Sequence, residues 1–184
     1  MKAIVCRELG PPSVLRLEEV PEPVMGPGQA RVRIKAAGIN FPDILTVAGQ
    51  YQHKPDLPFI AGFETAGEVI EVAADVDGLS PGQRVMMRVR PGGFAEQAVV
   101  DADTLLPTPE RFNDITAAAF IVGYATAYHC LLDRGELQAG QWALIHGASG
   151  GVGLPAVELA KLHGAKVIAT GGDDGKLAKV AEYG

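Results

Sequence analysis

The chain has 184 residues, a formal net charge of −6 and a hydrophobic fraction of 47%, which suits one or two compact domains. An acidic balance without a basic run argues against nucleic acid or an anionic membrane surface as the main partner. Its two cysteines, Cys6 and Cys130, lie far apart, and the N-terminus runs straight into a strand pattern without a signal sequence. The sequence therefore predicts a reducing, cytoplasmic setting.

Short β-rich segments separated by Gly and Pro turn signals fill residues 1 to about 110. Within 31–35, charged residues alternate with apolar ones, so one face is predicted to be wet and the other to be core. Residues 40–50 have room for one or two helical turns. This texture predicts a small, irregular antiparallel barrel with strands at 3–6, 14–20, 30–36, 65–73, 84–89 and 94–100.

A helical pattern begins after Asn113 and Asp114 and continues to about Arg134. The apolar-leaning run 116–132 is shorter than the roughly 20 residues that a membrane helix needs. We expect a buried helix that leads into the next domain.

The stretch 141–170 has the order strand, glycine turn, helix, strand. Residues 142–146 form a mostly apolar run, typical of a strand buried on both faces, and apolar residues then recur at helical spacing before a second run at 167–169. This pattern predicts a βαβ unit. One more helix follows residue 172, with Gly184 as its C-terminal stop.

The glycines of the turn suit different physical tasks. Gly147 and Gly150 fit a sharp strand-to-helix turn and a close approach of a diphosphate to the backbone, and Gly153 lets the helix lie close to the strands. The turn has no Lys or Arg, so backbone N–H groups must carry the phosphate contact. The alternative is a tight turn that binds nothing, whereas a P-loop is excluded because Lys-Ser/Thr does not follow the last glycine. Predicted coenzyme contacts are Ser149, Gly150, Gly151, Val152 and Gly153.

Further segments carry a family resemblance. They are Met-Lys-Ala-Ile-Val at 1–5, Ala-Ala-Gly-Ile-Asn-Phe-Pro-Asp at 36–43, Gly-Phe-Glu-Thr-Ala-Gly at 62–67, Pro-Gly-Gln-Arg-Val at 81–85 and Gly-Gly-Phe-Ala-Glu at 92–96. With the glycine turn, they resemble the zinc-independent quinone oxidoreductase, or zeta-crystallin-like, branch of the medium-chain dehydrogenase/reductase superfamily. The resemblance implies an α/β plus β fold: a GroES-like β-barrel over 1–112 without its C-terminal return segment, then a linking helix and the first part of a Rossmann domain over 113–184. Glu158 stands where the family signature has Gln, and we expect a surface exchange.

The resemblance also implies the chemistry. Zinc-dependent relatives carry Cys and His ligands where this sequence has Asn40 and Phe63, and the four histidines have no ligand spacing, so no metal is expected. NADPH, held in the cleft between the domains, would transfer a hydride to a quinone or other electron-poor alkene such as an enone. Asn40 would contact the nicotinamide side and Tyr51 would line the substrate pocket, with no acid or base assigned. Their alternative roles are a helix cap and an ordinary loop aromatic. Thr126 would approach the coenzyme from the linking helix.

The choice of coenzyme depends on the end of the second strand. NAD-specific folds place a carboxylate there, and Thr170-Gly171-Gly172 carries none. Lys176 matches the family lysine that meets the 2′-phosphate of NADPH. Asp173 would repel that phosphate unless it turns away to cap the following helix. NADPH is therefore favoured over NADH, with Thr170, Gly172 and Lys176 as contacts.

Family members continue for roughly as many residues again, so we expect a truncated Rossmann domain. Two parallel strands and two helices cannot cover both faces of a sheet, and the exposed apolar surface predicts a homodimer. The same truncation is expected to weaken coenzyme binding and activity. Two alternatives remain open: an enoyl-thioester reductase, which needs a basic patch for the carrier's phosphates, and a non-catalytic coenzyme-binding or crystallin-like protein.

Overall fold

The computed structural model describes residues 1–89 and 92–184. These residues form two compact units, Met1–Ala119 and Phe120–Gly184. The sequence prediction began the second domain at residue 113. In the structure, the short helix α2, Asp114–Ala118, lies in the first unit and packs against its strands.

The first unit is built from two antiparallel sheets, and all six predicted strands are present. The smaller sheet has the order β2-β1-β4 and the larger one β7-β3-β5-β6-β8. Strands β4 and β8 contain two residues each, too few to give a periodic pattern in the sequence. The strands are β1 Lys2–Cys6, β2 Arg16–Glu19, β3 Gln29–Gly38, β4 Phe59–Ile60, β5 Glu64–Val72, β6 Arg84–Arg88, β7 Gln97–Asp101 and β8 Leu106–Pro107.

Strand β3 shows why these residues form a barrel wall. Ala30 and Val32 are fully buried, whereas Arg33 and Lys35 are exposed, which confirms the predicted alternation. Opposite them, a Cβ on Gly67 of β5 would stand 2.1 Å from the Arg33 carbonyl oxygen. A glycine is therefore required at this point of close backbone approach.

Helix α1, Phe41–Val47, follows β3 where one or two helical turns were predicted. The predicted run 116–132 divides between α2 and α3, Ile121–Tyr128, with Ile121, Gly123 and Ala127 of α3 buried. Helix α3 continues into a π-helical segment, His129–Arg134. Among the residues that the structure describes, no helix has both the length and the apolar character that a membrane crossing requires.

The second unit contains the predicted βαβ unit. Strands β9, Trp142–His146, and β10, Lys166–Thr170, are parallel, and helix α4, Gly153–Leu162, connects them. Helix α5, Asp174–Val180, follows β10. Ala143 and Ile145 of β9 share a core with Val157 and Ala160 of α4, so α4 covers one face of the strand pair.

The prediction that β9 is buried on both faces is wrong for this chain. Trp142 and Leu144 are 64% and 58% exposed, and Ile168 of β10 is 47% exposed beside them. The register pairs Leu144 with Ile168, so these side chains share the face opposite α4. An apolar sheet face is thus open to solvent, as expected for two parallel strands with a helix on one side only.

Candidate functional site

The glycine turn between β9 and α4 has the geometry that its sequence predicts. Gly147 has a φ of 62°, in the left-handed region that favours glycine. A Cβ on Gly153 would stand 2.2 Å from the Gly147 carbonyl oxygen and 2.8 Å from the Ala148 Cα. Only a glycine at 153 lets α4 begin this close to the turn.

Several backbone N–H groups of the turn are available to a ligand. The turn is closed by the Gly150 N–H, which donates to the Gly147 carbonyl oxygen at 2.9 Å. Within the described chain, the N–H groups of Ser149, Gly151 and Val152 donate to no protein acceptor. A Cβ on Gly151 would meet no atom within 4 Å, so the space in front of it is open. Free donors at the start of a ten-residue helix fit the pyrophosphate of a dinucleotide.

Helix α3 packs against the glycine turn. A Cβ on Gly123 would stand 2.5 Å from the Gly151 carbonyl oxygen, so the helix backbone lies directly against the turn. One helical turn later, Thr126 is exposed on the same helix. Thr126 therefore lies one helical turn from Gly123, the residue that packs against the glycine turn.

Tyr124 joins α3 to α4. Its hydroxyl donates to the Glu158 carboxylate, and its ring stacks on Phe120 with centroids 4.4 Å apart. Burial, followed by the hydrogen bond and charge of Glu158, raises the pKa of Tyr124 to about 12. The interpretation of Glu158 as a surface exchange was wrong, because this carboxylate links two helices behind the turn.

The strand ends beside the turn form a second group of contacts. His146 ends β9 and Thr170 ends β10, and His146 Nδ1 lies 2.8 Å from Thr170 Oγ1. The Thr170 carbonyl oxygen also accepts from the Ala148 N–H at 3.0 Å. Sequence reasoning missed His146, although the parallel register pairs it with Thr170 on one face. Thr170 is therefore fixed to both the neighbouring strand and the glycine turn.

Asp173 and Lys176 lie at the start of α5, and their side chains have different environments. The Asp173 carboxylate caps α5 by accepting from the Lys176 backbone N–H at 2.8 Å. The Lys176 side chain is exposed, and a Cβ on Gly172 would meet no atom within 4 Å. Asp173 thus has the helix-capping role that the sequence analysis gave as its alternative to repelling a phosphate.

In the first unit, Asn40 is held by two buried carboxylates. Asn40 occupies the N-cap position of α1, and its backbone N–H donates to the Asp43 carboxylate at 2.6 Å. Its side-chain Nδ2 donates to the Glu64 carboxylate at 2.9 Å. Asp43 and Glu64 are only 5% and 1% exposed. Asn40 is therefore more than a helix cap, since its side chain contacts the start of β5.

Electrostatics at Asn40 follow from this burial. Burial raises the pKa of the Asp43 carboxyl above its ordinary value, while the backbone N–H groups of Asn40 and Phe63 act in the opposite direction. The charge of Glu64 adds to the rise. The net upward shift shows that the loss of solvent outweighs the hydrogen bonds.

Tyr51 lies against Phe63, the residue before Glu64. Their ring centroids are 5.8 Å apart at an interplanar angle of 64°, an edge-to-face contact. Phe63 is buried, Tyr51 is half-buried and Phe41, next to Asn40, is 69% exposed. Tyr51, Phe63, Glu64 and Asn40 thus form one connected group with apolar and polar parts.

The histidines have separate environments. His129 pairs with Asp133 at 3.0 Å on the π-helical segment, and His146 contacts Thr170. Over 1–89 and 92–184, no group of three or more His, Cys, Asp or Glu side chains is arranged to hold a metal ion.

An antiparallel barrel followed by a parallel strand–glycine turn–helix–strand unit is the architecture of a medium-chain dehydrogenase/reductase. The alcohol dehydrogenase GroES-like domain matches residues 26–110. The chain is 41% identical over 185 residues to quinone oxidoreductase-like protein 2 homolog of Nematostella vectensis, covering 100% of this chain and 50% of that protein. Over its whole length the chain is similar to quinone oxidoreductase-like proteins, and its fold is that of the medium-chain dehydrogenase/reductase superfamily.

Two further comparisons add detail. The solved structure of quinone oxidoreductase from Thermus thermophilus, studied also as its NADPH complex, superposes with a TM-score of 0.88 at 36% identity, covering 99% of this chain and 57% of that one. Erythronolide synthase EryA2 of Saccharopolyspora erythraea is 45% identical over 145 residues, 79% of this chain and 4% of that protein. The chain spans about half the length of the quinone oxidoreductase relatives that it matches, the proportion expected from the sequence.

Proposed function

We propose that this chain is part of an NADPH-dependent reductase that transfers a hydride to a quinone or another electron-poor alkene without zinc. The observation that carries the proposal is the set of three N–H groups without a protein acceptor, at Ser149, Gly151 and Val152, in a turn that has open space at the Cβ position of Gly151. These donors suit the coenzyme's pyrophosphate and need no basic side chain in the turn.

The choice of NADPH rests on the residues after β10. The exposed Lys176 ammonium is available to a 2′-phosphate, and Asp173 is engaged in capping α5. Thr170 and Gly172 would lie along the adenosine ribose, and Thr126 would approach the coenzyme from α3. An NAD-specific site would instead need a carboxylate at the end of β10 to hold the ribose hydroxyls.

The first unit would supply the substrate side. When bound, NADPH supplies the hydride, and a quinone or enone accepts it directly because its ring or double bond is already electrophilic. Asn40 would orient the nicotinamide, while Tyr51, Phe63 and Phe41 would provide an apolar wall that excludes water. No acid or base is assigned, and the proton is taken from solvent or a nearby hydroxyl.

Calorimetric titration of this chain with NADPH and NADH tests the proposal. We expect NADPH to bind more tightly than NADH, and we expect quinone-dependent oxidation of NADPH by a longer protein that contains this chain. Binding of neither coenzyme, by this chain or by that longer protein, would contradict the proposal. Binding without turnover, by this chain and by a longer protein that contains it, would favour a non-catalytic coenzyme-binding or crystallin-like protein.

A second candidate is an enoyl-thioester reductase. The similarity to erythronolide synthase EryA2, at 45% identity, is the observation that favours it. Both candidates use hydride transfer to an electron-poor alkene, but they differ in the acceptor. Comparing a short enoyl thioester with a quinone at equal NADPH concentration separates them: faster turnover of the quinone favours the quinone reductase, and faster turnover of the thioester favours the enoyl-thioester reductase.

Two further proposals concern the state of the chain. We propose a homodimer that covers the open sheet face at Trp142, Leu144 and Ile168, and sedimentation equilibrium at several concentrations tests it. We also propose a cytoplasmic location. Its support is the pair of free thiols, with Cys6 buried and Cys130 exposed. Fluorescence microscopy of the tagged protein tests this location.

A further inference from the structure

Buried charge is concentrated around Asn40. Among the described residues, Asp43 and Glu64 are the buried carboxyl side chains, and both bond to this one residue. Moving a carboxylate out of water is costly unless hydrogen bonds replace the lost solvation. A buried carboxylate therefore needs hydrogen-bond donors, and the Asn40 side chain supplies one of them to Glu64.

The two carboxylates hold different parts of Asn40. Asp43 accepts from the backbone N–H at 2.6 Å and thereby fixes the main chain at the start of α1. Glu64 accepts from the side-chain Nδ2 at 2.9 Å and fixes the rotation of the amide. Fixing both parts removes most of the freedom that a half-buried asparagine would otherwise have.

The fold also makes space for the second carboxylate. A Cβ on Gly38, the last residue of β3, would stand 3.0 Å from Glu64 Oε2 and 2.4 Å from the Ala118 carbonyl oxygen. Gly38 pairs with Glu64 across the sheet. The Glu64 carboxylate of β5 therefore lies between β3 and α2, in space that a side chain at position 38 would fill.

The direction of the amide follows from donor and acceptor chemistry. An ionised carboxylate accepts hydrogen bonds but cannot donate them, so the NH₂ group of Asn40 must face Glu64. Because the amide is planar, its carbonyl oxygen then faces away from Glu64. A glutamine or an apolar residue at 64 would leave the two ends of the amide free to exchange places.

We propose that Glu64 is a positioning residue which orients the Asn40 amide so that its carbonyl oxygen accepts from the carboxamide NH₂ of the nicotinamide ring. This inference rests on the proposed function. To the proposed function the inference adds two assignments. Asn40 recognises the carboxamide, and Glu64 is the buried carboxylate that determines the direction of the Asn40 amide. Asp43 supports the same arrangement through the main chain, at the expense of burying a carboxyl whose pKa burial raises.

The test compares two ligands on the Glu64→Gln variant. NADPH contains the nicotinamide, whereas adenosine 2′,5′-bisphosphate lacks it and reports on the other half of the coenzyme. We expect Glu64→Gln to raise the Kd for NADPH about fivefold, because a charge-assisted hydrogen bond is replaced by a neutral one that no longer fixes the amide. The Kd for the bisphosphate should not change. Glu68→Gln, on the same strand, is the matched control and should leave both values unchanged.

A second readout follows the amide itself. In ¹⁵N NMR spectra of the ligand-free chain, the Asn40 side-chain NH₂ pair should be shifted and protected from solvent exchange. Glu64→Gln should remove that signature and Glu68→Gln should retain it. If Glu64→Gln does not fold, Glu64→Asp keeps the charge but withdraws the carboxylate, and the same selective loss of NADPH affinity is expected.

The failures are distinguishable. Equal losses for NADPH and the bisphosphate, no loss for either, or an unchanged NH₂ signature would overturn the role of Glu64 and leave the proposed function standing. If neither the wild-type chain nor a longer protein that contains it binds either ligand, the proposed function is itself wrong and this inference is overturned with it.

Discussion

A Cβ on Gly153 would stand 2.2 Å from the carbonyl oxygen of Gly147, which places the start of α4 in direct contact with the end of β9. Gly153→Ala should therefore force the helix away from the strand and lower the free energy of unfolding of the second unit by at least about 2 kcal/mol. Urea denaturation followed by Trp142 fluorescence measures this change. An unchanged unfolding midpoint would show that the turn can relax.

Gly151→Ala is the matched variant with an opposite expectation. Its Cβ would meet no protein atom within 4 Å, and its φ lies outside the left-handed region, so stability should be retained. The methyl group would instead occupy the open space beside Gly151, next to the N–H groups of Gly151 and Val152. We expect the Kd for NADPH to rise at least about tenfold, because the pyrophosphate can no longer approach the backbone. Calorimetric titration of the stable variant measures it, and unchanged affinity would argue against a pyrophosphate at this turn.

The glycine turn shows how much the sequence could predict. The order and type of β9, α4 and β10, and the tasks of Gly147 and Gly153, follow from local backbone sterics, so spacing was enough to find them. The open face of β9 was predicted incorrectly, because an apolar run does not show how many elements cover it. The pairing of His146 with Thr170 depends on strand register, which the sequence does not state directly.

The first unit shows a different limit. Its longer strands were predicted from alternation and turn residues, whereas β4 and β8 are too short to produce a pattern. The contacts of Asn40 with Asp43 and Glu64 were not predicted. The first is local, but the second joins residues 24 positions apart, and its existence depends on how β5 lies beside α1. Long-range polar contacts of this kind need the tertiary structure.

The coenzyme preference gives a prediction at Lys176. Lys176→Ala should raise the Kd for NADPH about fivefold and leave that for NADH unchanged, because only NADPH carries the 2′-phosphate. Lys161→Ala removes the same charge at the far end of α4 and should affect neither coenzyme. Calorimetric titrations with both coenzymes provide the values. Equal effects on NADPH and NADH would place the 2′-phosphate elsewhere.

Asp173 gives a prediction of the opposite sign. Asp173→Asn keeps a good N-cap residue, so the stability of α5 should change little, but it removes a negative charge near the expected phosphate. NADPH should bind about two- to threefold more tightly, with no gain for NADH. Weaker binding of NADPH would indicate that the carboxylate itself contacts the coenzyme.

The bond between Tyr124 and Glu158 should stabilise the contact between α3 and α4. Tyr124→Phe keeps the ring against Phe120 but removes the donor, so we expect a loss of about 1–2 kcal/mol in the free energy of unfolding. Tyr128→Phe, on the same helix and 50% exposed, should cost much less. In an alkaline absorbance titration, one tyrosine should ionise with a pKa of about 12, and Glu158→Gln should lower that value by removing the adjacent charge.

Asp43 predicts how stability depends on pH. Burial raises the pKa of its carboxyl in the folded state, so between the unfolded and folded pKa values the folded chain holds a proton that the unfolded chain has released. The contribution of Asp43 to stability is thus fully present below the unfolded pKa, about 4, and is lost as pH rises through the folded pKa. Asp43→Asn still offers an acceptor to the Asn40 N–H but has no proton to titrate. The stability of the wild type relative to Asp43→Asn should therefore fall as pH increases from about 4 towards neutrality.

Urea unfolding of both chains across this range measures the difference, and Asp56→Asn in an exposed loop controls for a general change in charge. A difference that stays constant or grows with pH would show that hydrogen bonds, and not burial, dominate at Asp43.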